Sequence, residues 1–146
     1  MIRAAITSAA PDIAAELARL EALGGGGIAS FTGIVRGEDG LAALELEAWP
    51  AMAERALGEI AGEAAARWPL LGVTLLHRHG VLEVGERIVF VGTAAAHRAP
   101  ALEACAFLID WAKTKAPFWK REHRDDGSRR WIEARHADDA AAARWG

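Results

Sequence analysis

Apolar residues recur along this chain with two different periods, and the switches between them predict its elements. Residues 2–7, IRAAIT, read as a short strand. From Pro11 onward, Ile13, Leu17 and Leu20 lie four and three apart, the spacing of a single helical stripe, with the proline opening the helix. The run Gly24 to Gly27 ends it; no Gly-Lys-Ser/Thr follows, so these glycines read as a helix stop and loop rather than a phosphate cradle. Residues 28–37 and 41–49 read as strands, the second with Leu44, Leu46 and Ala48 on one face. The turn GEDG between them predicts a β-hairpin with Arg36 at the end of its first strand. Pro50 breaks that pattern and leads into a second amphipathic helix over 51–67, with Met52, Leu57, Ile60 and Ala64 as its inner stripe.

Two strongly apolar strands follow, 73–80 and 87–95, separated by the turn-rich stretch VLEVGE. His77 and His79 are two residues apart and share a strand face, but no third ligand accompanies them, so no metal site is expected. A strand-to-helix passage comes next, with Pro100 at the first helical position, and Pro117 stops that helix soon after Lys115. Residues 118–123 and 129–135 read as strands around the turn DDGS, and the tail from 136 reads as a short helix. Strands alternating with helices, with hairpins inserted and no repeat or linker, predict one α/β (α+β) domain over residues 1–146.

Composition narrows the function classes. With 52% apolar and 25% charged residues the chain is of the soluble globular kind, and no apolar run approaches a membrane span. The N-terminus has no basic segment leading into an apolar one, so a cytoplasmic location and no membrane partner are expected. A net charge of −3 argues against nucleic acid. Charge is uneven, however: residues 97–136 hold 9 Lys/Arg against 6 Asp/Glu, while residues 1–96 hold 7 against 12. A local basic patch of this size suits a small anionic ligand or an acidic partner tail. Cys105 is the only cysteine, which excludes an internal disulfide framework and a cysteine-rich zinc site.

The lysines sharpen this. Arg outnumbers Lys by 14 to 3, yet Lys113, Lys115 and Lys120 all fall within KTKAPFWK. Arginine solvates a surface equally well but cannot release a proton near neutral pH, whereas a lysine can. Lys120 follows Pro117 and the apolar pair Phe118 and Trp119, which would shelter its amine; the plainer alternatives are a solvated helix end and a lysine snorkelling at a strand edge. His97 and Arg98 stand where a strand meets a helix N-terminus, either as an anion pocket or as a capping pair with Arg98 in solvent. Lys113 lies sixteen residues further along that helix, roughly 20 Å away, so one substrate reaches both only in an extended site or in one shared between two chains. Cys105 sits inside an apolar helix without a basic neighbour, and Ser8, Ser30 and Ser128 lack a nucleophile-elbow context. Covalent chemistry would have to come from lysine or arrive on a partner.

The segments AHRAPALEACAFLIDWAKTKAPFWKRE and DDGSRRWIEAR closely resemble the large, catalytic subunit family of molybdopterin synthase, and FTGIVRGEDG and LELEAWPAMAERAL resemble its N-terminal hairpin and helix. The similarity runs from about residue 28 to the C-terminus. It implies a hammerhead-type α/β fold with an additional antiparallel β subdomain, and a homodimer at the centre of a heterotetramer. A small ubiquitin-like sulfur-carrier subunit with a C-terminal Gly-Gly thiocarboxylate would dock at each end. The implied reaction inserts two sulfurs into cyclic pyranopterin monophosphate to give molybdopterin, with no metal or cofactor of the enzyme's own. By motif, Lys113 and Lys120 would be catalytic, and Ile34, Val35, Arg36, His97, Arg98, Arg121 and Glu122 would join them in lining the pterin-phosphate site. Where the family often carries His, Tyr and Gly, this chain has Ala48, Trp49 and Ala51, so no role for that histidine transfers. The competing function class is a non-catalytic dimeric module that holds an acidic or Gly-Gly-tailed partner, in which lysine could be exchanged for arginine at little cost.

Overall fold

A computed structural model describes residues 1–38, 40–132 and 136–146. In chain order the elements are β1 (Ile2–Thr7), α1 (Ile13–Glu21), β2 (Gly27–Ile34), β3 (Leu41–Glu47), α2 (Pro50–Arg67), β4 (Leu70–Arg78), β5 (Gly80–Glu83), β6 (Arg87–Ala95), α3 (Arg98–Lys115), β7 (Trp119–Arg124), β8 (Arg129–Ile132) and α4 (His136–Ala143). The strands form two four-stranded sheets, ordered β1-β4-β6-β2 and β5-β3-β7-β8. Among the described residues only the β1–β4 pair is parallel, and every pairing in the second sheet is antiparallel. This is the expected α/β fold with an additional antiparallel sheet.

Strands β4 and β6 are central because they are almost continuously apolar, and both are buried along nearly their whole length. Leu57, Ile60 and Ala64 of α2 and Phe107 and Leu108 of α3 join Val73, Leu75, Val89 and Val91 in one core. The same cluster reaches Val35, Leu46, Leu82 and Ile88, so the second sheet closes against the first rather than standing apart. Helix α1 starts two residues after Pro11, behind a cap where the Asp12 carboxylate accepts from the Ala15 amide.

Several sequence expectations give way to long-range pairing. The hairpin between residues 28–37 and 41–49 does not form: β2 pairs with β6, and β3 pairs with β5 and β7 in the other sheet. The buried strand β6 needs a neighbour on each side, and β2 supplies the second; the Val35 amide still follows that sheet by donating to the Glu86 carbonyl before the chain crosses over. The turn-like 81–86 stretch contains most of β5, which takes the place beside β3 that β2 was expected to fill. Met52 is exposed, and Ala53 rather than Met52 heads the inner stripe of α2. Helix α3 begins at Arg98, so Pro100 is its third residue, where a missing amide hydrogen still costs no helical bond.

The glycine run does more than stop a helix. A Cβ on Gly25 would come within 2.5 Å of the Ala95 carbonyl oxygen, and one on Gly26 would collide with that of Ala96. A Cβ on Gly27 would lie 3.1 Å from the Arg98 Cα. The three glycines are therefore the floor on which the β6–α3 junction, carrying His97 and Arg98, rests. Gly26→Ala should lower stability by about 1–3 kcal/mol through this overpacking. Gly58→Ala, in open space within α2, should instead add about 0.5–1 kcal/mol. Urea unfolding midpoints of the two variants separate close packing from simple loss of glycine.

Candidate active site

A cavity of about 420 Å³ opens where the two sheets meet the end of α3. Ile34, Val35 and Arg36 enter it from the end of β2, Leu44 and Leu46 from β3, and His77 and Ile88 from β4 and β6. Lys113 and Thr114 come from the last turn of α3, Phe118 from the turn beyond it, and Lys120 and Glu122 from β7. Asp138 of α4 completes the wall. Two lysines thus converge although their segments follow different geometries: a helix end brings one, an extended strand the other, and Pro117 makes the corner between them.

Strand periodicity decides which residues of WKREH reach the cavity. Lys120 and Glu122 register with Leu46 and Leu44, whose side chains also line it. Arg121 and His123 point to the opposite face, where the register sets Arg121 beside Glu45. There the Glu45 carboxylate accepts from Arg121 Nη2 at 2.8 Å and faces His123 Nε2 at 2.7 Å, and the guanidinium lies over Trp131. These hydrogen bonds, His123 first and then Arg121, hold the Glu45 carboxyl below its usual range. Arg121 is accordingly placed away from the cavity, contrary to its expected place in the pterin-phosphate site. Trp119, expected to shelter Lys120, lies on that outer face too and is half exposed; Phe118 alone borders the cavity.

The remaining groups differ in how firmly they are held. Glu122 is buried and accepts from Arg124 at 2.9 Å, with Arg130 at 3.8 Å. Arg36 stands at the mouth with its side chain largely in solvent and pairs with Glu38 at 2.5 Å. Val35 is buried while Ile34 is half exposed. Lys113 is exposed and Lys120 half buried. Lys115 is the last residue of α3 and turns away, its Nζ 4.6 Å from the Trp111 ring centroid. The structure does not bring His97 and Arg98 to this cavity: both are exposed at the opposite end of α3, and the His97 side chain makes no capping bond.

Sequence reasoning missed His77 as part of this site, because it considers that histidine only as a metal ligand with His79. It is buried at the cavity floor, its ring stacked on Phe118 with centroids 3.9 Å apart. Its partner in that idea, His79, lies just past the end of β4. Among the described residues, no group of three or more His, Cys, Asp or Glu side chains is placed to hold a metal. Cys105 is buried in α3, and burial pushes its thiol up to about 11, so it is an inert packing group. None of the helices is long and apolar enough to cross a membrane among the described residues.

Comparison with known proteins agrees with this architecture. The MoaE protein family matches residues 6–115. A relative from Mesorhizobium japonicum named molybdopterin synthase catalytic subunit is 53% identical over 138 residues, 92% of this chain and 87% of its own. The solved molybdopterin biosynthesis MoaE protein from Burkholderia ambifaria superimposes with a TM-score of 0.82 at 48% identity, covering 100% of this chain and 97% of that one. A more distant chain, from a Helicobacter pylori complex of subunits 1 and 2 of molybdopterin-converting factor, shares the fold with a TM-score of 0.77 at 22% identity, over 92% and 91% of the two chains. With the family match spanning most of the sequence and the fold shared end to end, this chain belongs to the MoaE family of molybdopterin synthase catalytic subunits.

Proposed function

We propose that this protein transfers sulfur from the C-terminal thiocarboxylate of a small ubiquitin-like carrier to cyclic pyranopterin monophosphate, forming the dithiolene of molybdopterin in the cytoplasm. The observation that carries the reading is the convergence of Lys113 and Lys120, from a helix end and a strand, on one cavity with Arg36 at its mouth. The cavity offers amines and a guanidinium, while the chain's single thiol is buried and inert, so sulfur has to arrive on another molecule. The Helicobacter pylori protein of the same fold was solved with a second subunit of its converting factor, in keeping with such a carrier.

In this reading the carrier's glycine tail enters beside Ile34 and Val35, and Arg36 holds the substrate's phosphate as a charge-assisted hydrogen-bond donor. Attack by the thiocarboxylate sulfur on a substrate carbon forms a thioester between carrier and substrate. Water then adds to its carbonyl through a tetrahedral oxyanion that a lysine ammonium stabilises, leaving the sulfur on the substrate and a carboxylate on the carrier. Opening the cyclic phosphate requires a proton on the departing oxygen, which an ammonium at this position delivers. Glu122, fixed by Arg124, borders the lysines and balances their charge.

His97 and Arg98 lie too far along α3 to serve the same cavity, so they complete the site of a second copy in a homodimer. Incubation with a thiocarboxylated carrier and the cyclic pterin should yield dithiolene product. His97→Ala and Lys113→Ala chains should each be nearly inactive alone. Random mixing should restore about a quarter of wild-type activity, since half the dimers are mixed and each has one intact site. Mixed dimers without rescue would place His97 outside the site; absence of product from the wild-type chain would reject the reaction.

A further inference from the structure

His77 lines the cavity and has no role in the reaction above. Its backbone is held on both sides, in register with Ile6 of β1 and Val89 of β6, and its side chain is only slightly exposed. Nδ1 lies 2.8 Å from the Arg78 carbonyl oxygen. A carbonyl only accepts, so Nδ1 carries the hydrogen, and the neutral ring keeps its lone pair on Nε2. The stack on Phe118, with an interplanar angle of 21°, fixes the ring plane. Phe118 is two residues before Lys120, on the same side of an extended segment, and five after Lys113. The residue that joins the two lysines therefore also clamps this imidazole beside them.

Burial pushes His77 down to about 4, and the charges of Lys113 and Lys120 push the same way, against the backbone bond to Arg78. The ring is thus a neutral acceptor rather than a third cation in a cavity that already holds two ammonium groups. We propose that His77 is a positioning residue, whose Nε2 lone pair accepts a hydrogen bond from an ammonium of the Lys113–Lys120 pair and holds that amine aimed into the cavity. The inference rests on the catalytic reading of the lysines for its consequence, but its geometry is testable without catalysis.

The chain has only three lysines, so the ¹³Cε spectrum of lysine-labelled protein contains three titrating signals. Losing an acceptor disfavours the charged amine. In His77→Phe, which keeps the ring stack, the Lys113 or Lys120 signal should therefore titrate about one pH unit lower. Lys115, over Trp111, should not move. His77→Gln, whose Oε1 can stand near the Nε2 position, should restore the wild-type midpoint and most of the kcat that His77→Phe loses, with KM little changed. Arg36, Glu38, Glu122 and Asp138 also face the cavity and are the same in every variant, so they cancel from the comparison. If all three lysines titrate as in wild type in folded His77→Phe, the proposal is overturned. Should that variant not fold, His77→Asn, which keeps a donor for Arg78 and whose Oδ1 stops short of the Nε2 position, should lower the same lysine signal, and its failure to do so overturns the proposal equally. A shifted amine in a protein whose Lys113→Arg and Lys120→Arg forms remain fully active would uphold the positioning while rejecting the catalytic reading.

Discussion

Lys113→Arg and Lys120→Arg should each bind the carrier as wild type does and lose a hundredfold or more in turnover. Both substitutions keep a positive charge at the cavity, so whatever docking depends on net charge survives. They replace an amine, which can give up its proton, with a guanidinium, which stays protonated to above about pH 12. Positioned proton transfer contributes about 10²–10⁴-fold, which sets the expected loss. Lys115→Arg is the internal control: its amine lies over Trp111, outside the cavity, and turnover should be unchanged. Single-turnover formation of dithiolene, with carrier affinity measured separately, tests this. If the two arginine variants turn over like wild type, the lysines are a charge patch, and the binding-module alternative regains its force.

Local chemistry made much of the fold legible. The strand at residues 2–7 and the helix ends near Gly24 and Pro117 sit where composition and punctuation put them, because each depends on neighbours in sequence. Partner choice did not read out. GEDG between two apolar stretches has the signature of a hairpin, yet β2 and β3 belong to different sheets, since a strand's partner is decided by which distant edge is left unpaired. Strand β5 was hidden for the same reason: Gly80–Glu83 is four residues long and is ordered by lying beside β3.

The candidate site divides along a similar line. The lysine cluster pointed to Lys113 and Lys120, the family resemblance added Arg36 and Glu122, and the structure gathers all four. Alternation along β7 could have warned that Lys120 and Arg121 face opposite ways, since side chains two apart share a face and adjacent ones do not. The separation of His97 from Lys113, estimated from helix rise alone, matches their absence from one cavity. The role of the glycine run under the β6–α3 junction had no local signal, because the carbonyls of Ala95 and Ala96 that it meets are about seventy residues away in sequence. Nor did the floor position of His77, which depends on Phe118 folding back over the end of β4.

The buried imidazole also sets how the fold responds to acid. His77 titrates at about 4 in the folded chain against 6.5 for an ordinary histidine, chiefly because burial penalises its charged form. Above pH 6.5 neither state binds the proton and its contribution is fully present. As the pH falls through 6.5 the unfolded chain takes up a proton that the folded chain refuses, so stability drops, and the loss levels off once the pH passes below about 4. A gap of this size corresponds to a loss on the order of 3 kcal/mol across the window. His77→Phe removes the titrating group while keeping the stack on Phe118, and every other histidine and carboxylate stays common to the two proteins. Its stability relative to wild type should therefore improve steadily from pH 7 to pH 4, read as converging or crossing urea midpoints. A difference between the two proteins that is flat across that range would mean the imidazole is not held neutral inside the cavity, and the acceptor role of Nε2 would go with it.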